Sequence, residues 1–206
     1  MYRPAHFRPG DEAAAFEAID AWPLALLVTE GLEATHVPLL RDGDGLAGHI
    51  AKPNPHWQQT LDGAPALAVF GGPSAYVSPG FYATKAEHGR VVPTWNYVAV
   101  HVRGRLRWLH GADEKRAIVR RLTDRFEAGE AKPWSIDDAP ADYVEAMLGG
   151  IVGVRLTIER IEAQFKLSQN RTEDDRSGVE LGLAAREDSG SRAIARLMRR
   201  HFPFEG

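Results

Sequence analysis

The strongest pattern in the chain is an alternation over Tyr97 to Leu109. Val98, Val100, Val102, Gly104, Leu106 and Trp108 occupy one set of alternate positions; His101, Arg103, Arg105 and Arg107 occupy the other. Successive strand side chains point to opposite faces, so the pattern predicts a long strand with one face in a core. Gly104 at its middle predicts a bend or bulge of the kind a barrel needs. Val152 to Ile158 repeats the alternation, with Val152, Val154, Leu156 and Ile158 together. The continuous apolar run Leu24 to Thr29 predicts a strand buried on both faces. Glu33 to Leu40, Leu46 to Ala51, Ala66 to Phe70 and Ala75 to Ser78 read as further short strands. Their punctuation is chemical. Asp42-Gly43-Asp44-Gly45 suits a turn, Pro53 and Pro55 stop the strand ending at Ala51, and Gly71, Gly72 and Pro73 separate the last two.

Helical spacing is rarer. Asp11 to Ala21 reads as a helix with Asp11 as its N-cap, Phe16 and Ile19 on its buried side and Pro23 beyond its end. In Asp113 to Phe126, Ile118, Leu122 and Phe126 recur at i, i+4 and i+8. The other face carries Lys115, Arg120, Arg121 and Arg125 against Glu114 and Asp124, as a solvated amphipathic helix would. Tyr143 to Leu148, Val179 to Ala185 and Ala193 to Arg200 predict shorter helices, and Thr172 to Arg176 is a polar, charged stretch. Many short strands with glycine turns and few helices predict a mainly β fold, a barrel with peripheral helices. We expect one domain over residues 1–206, with 166–206 as a C-terminal extension.

Composition narrows this picture. The 206 residues suffice for one sizeable core, and 44% hydrophobic with 26% charged is ordinary for a globular chain. Charged residues or histidine interrupt every apolar run, so neither a membrane span nor a secretory signal is expected, and a cytoplasmic location is. The absence of cysteine removes disulfides and thiolate chemistry. A formal net charge of −3 argues against a chain that is wholly a nucleic-acid binder, without excluding a local basic patch.

Gly43-Asp44-Gly45-Leu46-Ala47-Gly48 matches G-x-G-x-x-G. A dinucleotide fold needs a helix directly after that pattern, and His49 to Pro55 with two prolines cannot supply one, so a hairpin turn is the better reading. Phosphate-loop, nucleophile-elbow and H-E-x-x-H motifs are absent. His36, His49 and His56 read as core or surface histidines, and no metal site is expected. Three segments carry denser chemistry. GHIAKPNPHW, Gly48 to Trp57, presents Lys52 and Asn54 in a proline-stiffened loop: a point charge for a phosphate beside directional donors, with Trp57 free to stack or to pack. From residue types alone, an ordinary turn with an exposed lysine and a buried tryptophan fits it better. VPTWNYVAVHVRG, Val92 to Gly104, brings Thr94 and Asn96 to the start of the long strand, with Trp95 and Tyr97 expected to pack the core. KLSQNR, Lys166 to Arg171, offers two cations, a hydroxyl and two amides, suited to a phosphate or a uracil-like ring edge, or simply to a solvated loop.

Taken together with the opening MYRPAHF, with THVPLL (Thr35 to Leu40), with YVSPGFY (Tyr76 to Tyr82) and with the extended run KLSQNRTEDDRSGVELGL (Lys166 to Leu183), these segments resemble the PaiB-type family of FMN-binding negative transcriptional regulators. The resemblance covers nearly the whole chain, and the order of the motifs is more specific than any one of them. The chain departs from the family in YVSPGFY, where serine and tryptophan are commoner than Gly80 and Phe81. The resemblance implies an FMN-binding split β-barrel and a homodimer with flavin at the subunit interface. It implies that His49, Ala51, Lys52 and Asn54 lie near the flavin or its phosphate, and that Thr35, His36, Val37 and Pro38 lie beside the isoalloxazine edge. Asn96, Tyr97 and the KLSQNR segment, with Lys166, Gln169, Asn170 and Arg171, would complete the site from one subunit or the other. DNA binding follows from the resemblance alone, through basic clusters at Lys115 to Arg125 and Arg192 to Arg200. The alternative is a flavin-dependent oxidoreductase, with His49 as its candidate proton donor.

Overall fold

The computed structural model describes residues 1–202; the last four positions of the expected C-terminal extension, 203–206, lie outside the described residues. Its elements in chain order are α1 (Glu12–Ala21), β1 (Leu24–Thr29), β2 (Ala34–Pro38), β3 (Leu40–Asp42), β4 (Gly45–Ala51), α2 (His56–Gln59), β5 (Pro65–Val77), α3 (Lys85–His88), β6 (Thr94–Leu109), α4 (Ala112–Glu127), α5 (Ala141–Gly149), β7 (Ile151–Lys166), α6 (Glu173–Ala184) and α7 (Ser189–His201). The seven strands form one antiparallel sheet in the order β2-β1-β5-β6-β7-β4-β3, and the fold is of split-barrel type, mainly β with helices.

The chain divides into two compact units. The first gathers Met1–Ala18, Gly71–Val100 and the stretch from Glu162 onward; the second gathers Ile19–Phe70 and His101–Ile161. The long strands β5, β6 and β7 pass through both.

In the second unit, β1 pairs with β2 in the register Leu26 to His36 and with β5 in the register Leu27 to Ala68. β4 pairs with β3 and, through Gly48 opposite Val154, with β7. The period-two face of β6 is buried as its sequence requires: Val102, Leu106 and Trp108 are at most 5% exposed. Gly104 has a steric reason of its own. A Cβ there would stand 1.9 Å from the Thr157 carbonyl oxygen, so only glycine admits the approach of β7. Leu40, Ala47, Leu109, Ile118 and Leu122 form a core cluster between the β3–β4 hairpin and α4.

Several expectations change. β1 buries Ala25, Leu27 and Thr29 but leaves Leu26 and Val28 partly open, so it has one buried face rather than two. The expected strand from Glu33 to Leu40 is broken at Leu39, whose N–H donates to the Pro23 carbonyl at 2.9 Å instead of continuing a ladder. The two strands expected at Ala66–Phe70 and Ala75–Ser78 are the single strand β5: extended backbone runs straight through Gly71, Gly72 and Pro73. On α4, Phe126 is half exposed while Lys115 is buried, its Nζ donating to the Leu148 carbonyl at 2.6 Å. The aliphatic stem covers apolar surface while the ammonium satisfies a helix-end carbonyl.

In the first unit, Asp11 Oδ1 accepts from the Ala14 N–H at 3.0 Å, the expected cap of α1. The polar stretch from Thr172 is the start of α6, not a loop: Thr172 Oγ1 accepts from the Asp175 N–H, and three acidic residues occupy the first turn, where the helix dipole favours them. Asp175 is buried and accepts from the Thr84 N–H and hydroxyl. Gly178 and Gly182 on α6 make room for Phe81, whose ring lies where a Gly182 Cβ would be.

Candidate functional site

The expected site residues fall into two groups, one in each unit. In the second unit, β4 ends at Ala51 and the chain turns through Lys52 to Pro55 into the single turn α2. The turn is tied at its base: the Lys52 N–H donates to the Gly150 carbonyl at 2.8 Å and the Asn54 N–H to the Ala51 carbonyl at 2.9 Å. Trp57 Nε1 donates to the Lys52 carbonyl at 2.8 Å, and its ring meets His110 edge-on. Trp57 is thus a clasp on the loop. Ala51 and the Lys52 side chain are exposed.

Asn54 faces inward. Its Oδ1 accepts from the His56 N–H at 3.0 Å, and its Nδ2 donates to Thr35 Oγ1 at 3.1 Å. His56, 1% exposed, sits at the centre of a polar network. Its Nδ1 lies 2.8 Å from Thr35 Oγ1 and its Nε2 2.8 Å from Thr29 Oγ1, which lies 2.9 Å from Thr60 Oγ1. Burial pushes the His56 pKa below the ordinary 6.5, against a smaller upward pull from Glu33, so the ring is neutral near pH 7. Alternation along β2 puts Thr35 and Val37 on one face and His36 and Pro38 on the other; Val37 is buried and His36 exposed. His49 stands apart from this network. It borders a carbon-lined cavity of about 190 Å³ with Val119, Trp134, Tyr143, Met147 and Ile151. Its Nδ1 is buried without a hydrogen-bond partner among the described residues, and burial lowers its pKa.

In the first unit, Asn96 is fully buried, its Nδ2 donating to Ser168 Oγ at 3.0 Å. Ser168 holds a left-handed φ of 67°, a strained geometry for a side-chain-bearing residue that turns the chain sharply after β7. Tyr97 Oη accepts from Gln164 Nε2 at 2.7 Å. Gln169 staples the turn, donating to the Phe165 carbonyl and accepting from the Leu167 N–H, and is thereby committed to structure. Asn170 is exposed. Lys166 Nζ donates to Thr94 Oγ1 at 2.5 Å, and the Arg171 guanidinium lies 4.7 Å from the centre of the Tyr82 ring. Burial and then the neighbouring Arg171 charge lower the Lys166 pKa. Neither cation forms an ion pair among the described residues. Trp95, expected in the core, is 54% exposed and meets Tyr76 edge-on at 6.1 Å.

Residue-by-residue reading of the sequence took His56 as a core or surface histidine, and the structure buries it; what that reading missed is its network with Thr29, Thr35 and Thr60. An isolated histidine and scattered threonines carry no linear signal, because their meaning lies in partners 21 to 31 positions away. Among the described residues, no group of three or more His, Asp or Glu gathers as a metal site would require, and no helix is long and apolar enough to cross a membrane.

The fold has solved counterparts. The flavocytochrome Anf3 from Azotobacter vinelandii aligns with a TM-score of 0.60 at 18% identity, covering 86% of this chain and 78% of that one. The FAD and heme binding protein from Mycobacterium smegmatis aligns at 0.57 and 18%, covering 82% and 78%. At this identity the likeness establishes the split-barrel fold alone. The family is established by sequence: residues 1–160 match the family described as "Putative FMN-binding domain", and the chain belongs to it. Protease synthase and sporulation protein PAI 2 of Bacillus subtilis is 33% identical over 208 aligned positions, covering 96% of each chain. An uncharacterized protein of Emericella nidulans is 31% identical, covering 82% of this chain and 81% of its own. The chain is therefore a PaiB-type FMN-binding protein with FMN as its cofactor.

The residues present fit that cofactor. A phosphate monoester needs cations that are not already neutralised; Lys166 and Arg171 supply two, and exposed Lys52 a third. A flavin ring needs directional hydrogen-bonding groups, and the Thr35 and Thr94 hydroxyls are of that kind.

Proposed function

We propose that FMN is held by two sets of contacts, with Lys52 and Thr35 in one, the latter oriented by Asn54, and Thr94, Lys166 and Arg171 in the other, in a homodimer whose subunits share the flavin. The observation that carries this reading is the pair of adjacent, half-buried cations without a carboxylate partner among the described residues. Bringing two positive charges together costs energy that an anionic ligand recovers. Asn96, Tyr97, Gln169 and Trp57 shape the site rather than touch the ligand, because their polar atoms are already engaged. When bound, the isoalloxazine supplies reversible electron and hydride acceptance, and the protein supplies position and electrostatics.

We read the flavin's role as regulatory, as in the PaiB-type resemblance. The basic clusters give DNA contact little direct support. Arg116 and Arg120 on α4 pair with Glu145 and Asp137, and Arg199 and Arg200 on α7 pair with Glu180 and Glu17. His49 does not favour an acid role in an oxidoreductase, since its burial keeps the ring neutral. Purified protein should be yellow and keep its flavin band through gel filtration, at the mass of a dimer. A colourless monomer indifferent to added FMN would overturn the reading; anaerobic bleaching by NADH or NADPH would move it to the oxidoreductase alternative.

A further inference from the structure

The proton count of the network around His56 has one solution that satisfies every buried donor. Thr60 Oγ1 has Thr29 Oγ1 as its sole side-chain partner among the described residues, and Thr60 is 5% exposed. Among the side chains of the described residues its hydroxyl hydrogen thus has one acceptor, Thr29 Oγ1. Thr29 must then give its own hydrogen to His56 Nε2, 2.8 Å away. With Nε2 accepting, the neutral ring carries its hydrogen on Nδ1 and donates to Thr35 Oγ1 at 2.8 Å. Thr35 Oγ1 also receives Asn54 Nδ2–H, so both its lone pairs are occupied. Its own hydrogen is left over, on a half-buried residue of β2. The opposite polarity fails. With the hydrogen on Nε2 and donated to Thr29, either the Thr29 or the Thr60 hydroxyl hydrogen is left without a side-chain acceptor among the described residues, at a cost of about 1–3 kcal/mol.

We propose that His56 is a positioning residue which sets the direction of the relay Thr60–Thr29–His56–Thr35, so that Thr35 presents its hydroxyl as a hydrogen-bond donor to a carbonyl oxygen or unprotonated ring nitrogen of the bound flavin. The ligand half of this inference rests on the FMN reading above; the direction of the relay does not. Thr35 cannot accept from a ligand, because its acceptor capacity is spent inside the protein. The contact therefore discriminates: it favours an acceptor edge and disfavours a donor such as a ring N–H.

Two measurements on the full chain test the two halves separately. Long-range ¹H–¹⁵N correlation spectra of the ligand-free protein at neutral pH, with His56 assigned by its loss in His56→Asn, should show a protonated Nδ1 and an unprotonated Nε2. The reverse tautomer, or an even mixture, overturns the relay. Fluorescence titration with FMN should give an affinity about 5–10-fold weaker for Thr35→Val and close to the original for Thr35→Ser, as expected for one hydrogen bond from a hydroxyl. An unchanged affinity in Thr35→Val overturns the ligand contact. Should the unaltered protein not bind FMN, the contact falls together with the flavin reading, while the tautomer spectrum still decides the relay.

Discussion

Around His56, five side chains from the second unit satisfy one another with neutral hydrogen bonds: Thr29, Thr35, Asn54, His56 and Thr60. Around Lys166, the first unit places two cations near each other and, among the described residues, gives neither a carboxylate. The first arrangement is satisfied internally except for the Thr35 hydroxyl hydrogen, so it should stabilise the fold and present a fixed, directional surface. The second is incomplete without an anion, so it should contribute little to the fold and much to binding. Preorganisation lowers the ordering cost of association; unspent charge supplies the attraction. The contrast separates residues that shape a site from residues that pull a ligand into it.

The sharpest way to break this comparison is to remove the charge. Lys166→Met combined with Arg171→Gln should weaken FMN binding on the order of 100-fold or more, since each charge-assisted bond contributes about 1.5–3 kcal/mol. The melting temperature of the ligand-free protein should stay level or rise, because a repulsion is relieved. Titrations at low and high salt read the first outcome and calorimetry the second; a large loss of Tm would show that the cations are structural. His56→Ala should behave oppositely. Unpartnered Thr29 and Thr35 hydroxyls plus lost packing should cost about 2–4 kcal/mol, visible as a Tm lower by several degrees.

Lys52→Ala sharpens the same contrast within the second unit. Its side chain is exposed, so Tm should not change, while FMN affinity should fall several-fold; unchanged affinity would remove Lys52 from the site. The smallest effect concerns pH. His49 and His56 have pKa values lowered by burial, and so has His201, with help from Arg200. The unfolded chain thus binds protons at a pH where the folded chain does not, so stability is fully present above about 6.5 and declines as pH falls toward the lowered values. Melts between pH 7.5 and 5 should show this decline, and His56→Asn should flatten part of it.

Much of the fold was legible. The β6 alternation named its buried face residue by residue, because period two is a local consequence of strand geometry. The Asp11 cap was equally readable, since its partner is three positions away. Continuity of β5 was not. Gly71, Gly72 and Pro73 are turn formers in isolation, yet each also accepts extended backbone, and neighbouring strands decided between the two. Of the expected site residues, Lys52, Thr35, Lys166 and Arg171 keep side chains available to a ligand, whereas Gln169 and Trp57 proved to be staples whose amide and indole groups bond the backbone. Residue type alone cannot tell a free amide from a spent one.

By itself, the sequence determined the strand pattern and the family, because both are written in local periodicity and in the order of motifs along 160 matched residues. Only the tertiary structure decided which polar atoms remain unspent. His56 meets Thr29 and Thr35 from 27 and 21 positions away, and Lys166 meets Thr94 from 72. Hydrogen-bond saturation is a property of what surrounds an atom in space, and the chain must fold before a hydroxyl such as that of Thr35 has a direction.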